Sequence, residues 1–282
     1  MNPPRWLFGH TPPADSPPGL TYAADFVDFL AHSRGLDRVA AQGLVSRSQA
    51  QFAGGWAGTE YRAFTERALE VLRPLHDDTP GDALIGTYRA HAPLDFLRML
   101  SYPIPPAAEL SVIVDRLARR PAPRIVDYGC GLAHRSLAVA RALRARGVEV
   151  SLSLVDIRRE IHVAFLAFLC RQYGVPWAFV EVTAQQPYPP LPEHDYCDTV
   201  NVLEHVADPV RVIDNVHAAL RPGGLFLASV GDQADEMMHI TPNLAAVRSR
   251  LHALGYRDTG PCCEATLFVR AGPDSTNATA HG

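Results

Sequence analysis

The sequence predicts an α/β fold, with strands and helices alternating over residues 121–272 and helices over residues 20–120. Two observations support this prediction. Residues 124–140, read RIVDYGCGLAHRSLAVA, form a short apolar run, a glycine-bracketed turn and an amphipathic helical pattern. Further apolar runs follow, most of them separated by helical patterns. Such alternation is typical of a parallel sheet covered by helices.

The glycine turn has the properties of a ligand site. Ile125 and Val126 are β-branched and suit the buried strand that precedes it. Gly129 and Gly131 allow backbone angles and a close ligand approach that a Cβ would forbid. The next helix points its free N–H groups into the turn, where Ser136 can help to satisfy them. A ligand of the adenosine type can therefore lie against this backbone.

A G-x-G turn alone is common and does not identify a ligand. Other segments of the sequence indicate which class of ligand the turn binds. The dinucleotide fingerprint has a third glycine where this chain has His134. The strand predicted over residues 148–155 ends at Asp156, whose carboxylate can accept hydrogen bonds from both ribose hydroxyls. Residues 201–209 then read NVLEHVADP, and residues 220–224 read LRPGG.

Together, VDYGCG, LVD, VLEHVADP and LRPGG resemble the class I S-adenosylmethionine-dependent methyltransferases over roughly the C-terminal half of the chain. The resemblance implies a Rossmann-like methyltransferase sheet with a reversed last strand, and S-adenosylmethionine across the carboxyl ends of the strands. It implies that Asp127, Gly129 and Gly131 surround the methionine part of the cofactor and that Asp156 holds the ribose. The other cofactor-binding residues that it suggests are Cys130, Ile157, Thr183, Asn201 and Val202.

The chain departs from that family at two positions, and other activities compete with methyl transfer. Ala133 stands where a third glycine is frequent, and Thr183 stands near where many relatives place an acid facing the adenine. One alternative is transfer or cyclisation of the cofactor's aminobutyrate part, as in azetidine-2-carboxylate formation. Another is a non-catalytic binding module. A nicotinamide dehydrogenase is a third, and His134 together with VLEHVADP argues against it.

Three side chains are candidates for a base that takes a proton from the methyl acceptor. Asp198 lies in the strand before VLEHV and is either a base or a structural hydrogen-bond partner, since a buried unpaired acid is costly. His205, at the turn into the next helix, is either a base or part of the scaffold. His239 follows two methionines in a loop expected to overhang the site, with a solvated histidine as the alternative. The spacing supports no metal site.

Composition limits the acceptor and the compartment. The formal charge of −4 and the pI near 6.3 leave no basic excess for a phosphate backbone, so nucleic acid is disfavoured and a small-molecule acceptor is favoured. All 26 basic residues are arginine, which excludes a lysine Schiff base. The five cysteines lack paired spacing, no secretory leader is recognisable and no run is long enough to span a membrane. We therefore expect a soluble cytoplasmic protein without a membrane partner; the sequence leaves its oligomeric state open.

The chain divides into regions of different pattern. The predicted regions are a proline-rich arm (1–19), a helical N-terminal cap (20–120), a catalytic domain (121–272) and a flexible tail (273–282). Cap helices are predicted between Thr59 and Pro74, over 93–101 and over 106–120. Strands are predicted over 148–155, 177–182, 196–200, 225–230 and 266–269, with helices over 160–173, 209–220 and 242–254. The N-terminal helices either add packing to the catalytic domain or cover the acceptor pocket. Aromatic residues beyond what packing needs favour the cap: Trp56, Tyr61, Tyr88 and Tyr102.

Overall fold

The computed structural model describes residues 21–52, 63, 86, 89–90, 92–100, 102–231, 240–241, 243–262 and 265–272. Its strands are β1 (Arg124–Tyr128), β2 (Ser151–Ile157), β3 (Trp177–Val182), β4 (His194–Thr199), β5 (Leu220–Ala228), β6 (Tyr256–Cys262) and β7 (Ala265–Arg270). Its helices are α1 (Ala23–Arg34), α2 (Arg38–Phe52), α3 (Ala92–Met99), α4 (Ser111–Leu117), α5 (His134–Ala145), α6 (Glu160–Gln172), α7 (Pro209–Ala219) and α8 (Ala245–Ala253). A 3₁₀ turn covers Leu203–His205.

The strands form one seven-stranded sheet in the order β3-β2-β1-β4-β5-β7-β6. Strands β1 to β5 pair in parallel, whereas β7 runs antiparallel to β5 and β6 antiparallel to β7. The predicted α/β class and the reversed last strand are therefore confirmed. The register sets Asp127 of β1 opposite Asp198 of β4, and Asp156 of β2 opposite Glu181 of β3. Acidic side chains thus gather where the parallel strands end.

Strand β6 was not predicted. Its sequence contains Gly260 and Pro261, which are typical of turns, and most of its side chains are exposed. It nevertheless forms a strand because it pairs with β7 at the edge of the sheet. The register of this pair shifts between Asp258 and Pro261. An edge strand tolerates proline because its outer N–H groups need no partner in the sheet.

Most of the predicted element boundaries differ from the structure by a few residues, and the starts of α4 and β5 differ the most. Helix α4 begins at Ser111 rather than Pro106, because the intervening residues form turns in which Glu109 N donates to Pro106 O at 3.0 Å. Strand β5 begins at Leu220 rather than at residue 225, because Leu220 pairs with His194 before the register shifts. The helix predicted between Thr59 and Pro74, most of the cap aromatics, the arm and the tail lie outside the described residues.

The described N-terminal helices share a core with one face of the sheet. Phe165 of α6 is fully buried and meets four N-terminal rings, with centroid distances of 6.0 Å to Tyr22, 5.4 Å to Phe26, 5.5 Å to Phe29 and 5.5 Å to Phe96. Such aromatic pairs add about 0.5–1.5 kcal/mol each beyond their buried area. The other face of the sheet is covered by a second apolar cluster that includes side chains of α7 and α8. In the part of the chain described here, no helix combines the length and apolar character needed to cross a bilayer.

His134 lies where these N-terminal residues meet the sheet. Its ring stacks on Tyr22 at a centroid distance of 4.8 Å, and the Tyr102 ring lies 6.0 Å away. Its Nε2 is buried and has no hydrogen-bond partner among the described residues. Burial, and to a smaller extent the neighbouring Arg135, lowers the pKa of His134 to about 3. The imidazole is therefore neutral in the folded protein at neutral pH.

We expect His134 to make the protein sensitive to acid. Between the unfolded pKa near 6.5 and about 3, the unfolded chain binds a proton that the folded chain does not. The contribution of His134 to the free energy of unfolding should therefore fall as the pH drops below about 6.5, by at most about 1.4 kcal/mol per pH unit. Above that pH, His134 should add no pH dependence to the free energy of unfolding. Urea unfolding at several pH values should show a smaller acid dependence in His134→Phe, which keeps the ring stacking. If the free energy of unfolding of His134→Phe depended on pH as steeply as that of the wild type, His134 would not be the source of the acid sensitivity.

Candidate functional site

The turn between β1 and α5 has the geometry that its glycines predict. Gly129 and Gly131 have φ of 72° and 50°, and a Cβ on Gly129 would lie 2.6 Å from Val202 Cγ2. Ala133 also adopts the left-handed conformation, with φ 55°. Ala133 therefore keeps the backbone conformation that a glycine at this position would adopt, and the turn is preserved. At Gly131, a Cβ would lie 3.1 Å from Met99 Sδ, so helix α3 reaches this turn.

Helix α5 presents its N-terminus to the same turn. Among the described residues, no side chain caps its first N–H groups. The predicted help from Ser136 is wrong, because the Ser136 hydroxyl donates to Asp127 Oδ2 and to Ala133 O instead. Asp127 is buried beside it, and a carboxylate is the stronger acceptor for that hydroxyl. The uncapped N–H groups and the helix dipole favour an anionic group in the turn.

The turn is tied to Asp156 at the end of β2. Gly131 N donates to Asp156 Oδ2 at 2.8 Å, and Ile157 N donates to Oδ1 at 2.7 Å. Arg159 Nη2 donates to Oδ2 at 3.0 Å. An ionised carboxylate has roughly four lone-pair positions. Gly131 N and Arg159 Nη2 donate to Oδ2, where the Cys130 thiol also lies 3.9 Å away, and Ile157 N occupies one position on Oδ1. One position on Oδ1 is therefore open to a ribose hydroxyl while Arg159 stays in place, and the contact with both hydroxyls stays a prediction.

Asp198 is buried and paired. Arg135 Nε donates to Asp198 Oδ2 at 2.9 Å, and Arg135 Nη2 donates to Oδ1 at 3.4 Å. The Tyr196 hydroxyl donates to Oδ2 at 3.1 Å, and Val200 N donates to Oδ1 at 3.0 Å. These bonds favour the structural alternative for Asp198. They also explain how an acid that is only 2% exposed is tolerated.

Asp127 of β1 lies opposite Asp198 of β4 in the sheet. Burial, followed by the neighbouring Asp198 carboxylate, raises the pKa of Asp127 well above its usual range. The Ser136 hydrogen bond and the Arg135 charge act in the opposite direction. The two buried carboxylates repel one another, and the positive charge of Arg135 offsets part of that repulsion.

Other predicted cofactor residues surround the same strand ends. The Cys130 thiol lies 3.9 Å from Asp156 Oδ2, and burial raises its pKa well above the usual range, so it stays protonated. Ile157 closes β2 and contributes its backbone N–H to Asp156. Thr183 follows β3, and its hydroxyl accepts from Gln186 N at 3.0 Å. The Thr183 hydroxyl is thus engaged in a local turn.

The VLEHV segment follows β4. Asn201 has φ 59°, its side chain accepts a hydrogen bond from the Ser229 hydroxyl at 3.3 Å, and Val202 packs on Gly129. His205 ends the 3₁₀ turn and is half-buried. His239 lies outside the described residues, so its predicted role stays a prediction.

Sequence reasoning missed three charged residues of this site. Arg135 pairs with Asp198, while Arg159 of the DIRRE segment pairs with both Asp156 and Asp95 of α3. The i,i+3 spacing of Asp156 and Arg159 was a usable signal, because side chains at that spacing can meet at a helix start. The other two pairs join residues more than sixty positions apart, which no local pattern reveals.

The site fits S-adenosylmethionine. The uncapped α5 N-terminus suits the carboxylate of its methionine part, and the remaining Asp156 lone pair suits a ribose hydroxyl. Both lie at the carboxyl ends of parallel strands, where open α/β sheets bind their ligands. The fold is therefore Rossmann-like, and the site at the carboxyl ends of its parallel strands suits S-adenosylmethionine.

Comparison with known proteins places the chain in a family. The methyltransferase domain family matches residues 105–264, more than half of the chain, and the chain belongs to that family. A segment of 110 residues is 33% identical to the ubiquinone biosynthesis O-methyltransferase of Aeromonas salmonicida, covering 38% of this chain and 43% of that enzyme. A segment of 120 residues is 28% identical to the enzyme of the same name from Pseudomonas aeruginosa, covering 42% and 48%. The chain thus matches less than half the length of these relatives.

A solved structure supports the fold over more of the chain. The mitomycin 7-O-methyltransferase MmcR is 14% identical, and the superposition covers 87% of each chain with a TM-score of 0.51. At that identity the similarity concerns the fold alone. Residues 105–264 are thus a methyltransferase domain, and the sheet that they build has the fold of that solved structure.

Proposed function

We propose that this enzyme transfers a methyl group from S-adenosylmethionine to a hydroxyl of a small molecule, as a cytoplasmic step of specialised metabolism. The observation that carries the proposal is the position of α3. Met99 contacts the glycine turn and Asp95 pairs with Arg159, so the N-terminal helices form a wall beside the strand ends. A wall at this place suits a small acceptor better than a macromolecule, and the net charge of −4 suits a partner other than nucleic acid.

The relatives favour a hydroxyl as the acceptor group. Two curated relatives are named as O-methyltransferases of ubiquinone biosynthesis. The cofactor supplies an activated methyl group on its sulfonium. The protein must then orient the acceptor and take its proton.

We infer that Asp198 positions the site and does not take this proton. Its two carboxylate oxygens accept four hydrogen bonds, two from Arg135 and one each from Tyr196 and Val200, which leaves little room for a further proton. His205 and His239 remain the candidate bases. Of the two, His205 lies in the described 3₁₀ turn that follows β4, close in sequence to Val202, which packs on the glycine turn.

The acceptor class can be tested by following the cofactor product. Purified enzyme with S-adenosylmethionine should give S-adenosylhomocysteine only when a hydroxylated acceptor is added, within a panel of phenols, aliphatic alcohols, amines and carboxylic acids. His205→Ala should lower that rate roughly a hundredfold if His205 is the base. Turnover confined to amines or carboxylic acids would contradict the hydroxyl assignment. Methylthioadenosine formed without any acceptor would instead indicate chemistry on the aminobutyrate part.

A further inference from the structure

We propose that Asp95 and Arg159 are positioning residues for the cofactor's ribose, and that they make helix α3 part of the cofactor site. Arg159 bridges two carboxylates. One belongs to Asp156 at the end of β2, and the other belongs to Asp95 of α3. The inference rests on S-adenosylmethionine as the cofactor and is independent of which acceptor is methylated.

The bridge is short and buried. Arg159 Nη1 lies 2.5 Å from Asp95 Oδ2, and Nη2 lies 3.0 Å from Asp156 Oδ2. The three side chains are 5%, 8% and 14% exposed for Arg159, Asp95 and Asp156. His162 and Phe96 pack beside them, with His162 Nε2 3.9 Å from Asp95 Oδ2 and the two rings edge-to-face at 5.2 Å. Solvent therefore screens this cluster little.

The charges make the three residues interdependent. Two carboxylates and one guanidinium carry a net charge of −1, and the planar guanidinium can donate to both carboxylates at once. Removing Asp95 takes one of two carboxylates from Arg159, and removing Arg159 takes the shared cation from both carboxylates. Such a loss in a buried cluster is costlier than the loss of an exposed ion pair. Helix α3 and the end of β2 are thus held through the same cation.

This bridge restricts how Asp156 can meet a ribose. Arg159 and Gly131 N both donate to Oδ2, so the carboxylate cannot rotate without breaking one of these bonds. Its remaining acceptor position, on Oδ1, is therefore fixed before the ligand arrives. A preorganised acceptor binds more tightly because the ligand does not have to order it. Asp95 contributes by holding Arg159 from the opposite side.

The same N-terminal region has a second anchor that provides a control. Asp25 of α1 accepts hydrogen bonds from the Tyr173 hydroxyl at 2.7 Å and from Gln172 Nε2 at 3.2 Å, at the C-terminal end of α6. Arg159 immediately precedes the first residue of that helix. Asp25→Asn therefore weakens an attachment of the N-terminal helices to α6 without touching Asp156.

The test is calorimetric titration of full-length protein with S-adenosylhomocysteine. Arg159→Gln should raise the Kd about tenfold, because Asp156, the proposed acceptor of the ribose hydroxyl, loses its charged hydrogen bond from Arg159. Asp95→Asn should raise the Kd roughly threefold to tenfold, because Arg159 loses the charged partner that holds it. Asp25→Asn should leave the Kd within about twofold. If Arg159→Gln does not fold, Arg159→Lys replaces it, since it keeps the charge and loses the two-armed geometry.

A second ligand separates positioning from general loosening. An S-adenosylhomocysteine analogue that lacks both ribose hydroxyls should bind the wild type more weakly and lose no further affinity in Asp95→Asn. An equal loss for both ligands, an unchanged Kd in Asp95→Asn, or the same loss in Asp25→Asn would overturn the proposal. Failure of the wild type itself to bind S-adenosylhomocysteine would instead count against the cofactor assignment.

Discussion

Replacing Asp156 with alanine is expected to weaken S-adenosylhomocysteine binding roughly tenfold to hundredfold. The variant loses the charged acceptor of the ribose, and a hydrogen bond to a charged group contributes about 1.5–3 kcal/mol. It also removes the acceptor of Gly131 N at 2.8 Å and one partner of Arg159 at 3.0 Å. The glycine turn should therefore lose part of its support together with the ribose contact. Calorimetry measures the affinity, and circular dichroism checks that the variant is folded.

A further variant of Asp156 shows whether the charge or the shape of the side chain matters at this position, and a second variant serves as the control. Asp156→Asn keeps one oxygen acceptor but cannot neutralise Arg159, so its affinity should lie between those of the wild type and Asp156→Ala. Asp115→Ala is the control, because Asp115 forms an exposed ion pair with Arg146 away from the strand ends. Wild-type affinity in folded Asp156→Ala would mean that the ribose lies elsewhere.

The central part of the fold could be predicted because its signals are local. Strand β1, the glycine turn and α5 follow one another without interruption, and each has its own pattern of branched, glycine or amphipathic residues. Strand β3 was predicted with its observed bounds, Trp177–Val182. Strand β6 was missed because its Gly260 and Pro261 carry turn signals, and only its pairing with β7 makes it a strand.

The site was predictable in its backbone and much less so in its charges. Asp156 and Gly131 were predicted from local signals, a strand end and a glycine turn, and the structure joins them by a hydrogen bond of 2.8 Å. The partners of the acids were not found. Arg135 and Asp198 are separated by 63 positions, and Asp95 and Arg159 by 64. Only tertiary structure brings such residues together, so the sequence left both a catalytic base and a structural hydrogen-bond partner open for Asp198.

Replacing Asp198 with alanine is expected to lower the free energy of unfolding by about 3 kcal/mol. Breaking a buried ion pair typically costs about 3–5 kcal/mol because the remaining charge is uncompensated. The lower end applies here, since the Arg135 side chain is 22% exposed and water can partly solvate it. The Tyr196 hydroxyl and Val200 N also lose their acceptor. Urea unfolding at neutral pH measures the effect.

A double variant tests the origin of that loss. Arg135→Met combined with Asp198→Leu removes both charges, and apolar side chains can replace a buried ion pair with little loss of stability. We expect it to be more stable than Asp198→Ala by at least about 1 kcal/mol. Equal instability of the two proteins would show that the ion pair is not what makes Asp198 necessary.

Asp198→Asn distinguishes a structural role from catalysis. Asparagine keeps the shape of the side chain and can still accept from Val200 N or the Tyr196 hydroxyl, but it cannot take a proton at neutral pH. Since Arg135 already holds the carboxylate, we expect kcat at saturating cofactor to stay within about tenfold of the wild type. A general base usually contributes about 10²–10⁴-fold. A loss of that size in folded Asp198→Asn, with unchanged cofactor affinity, would restore Asp198 as the base.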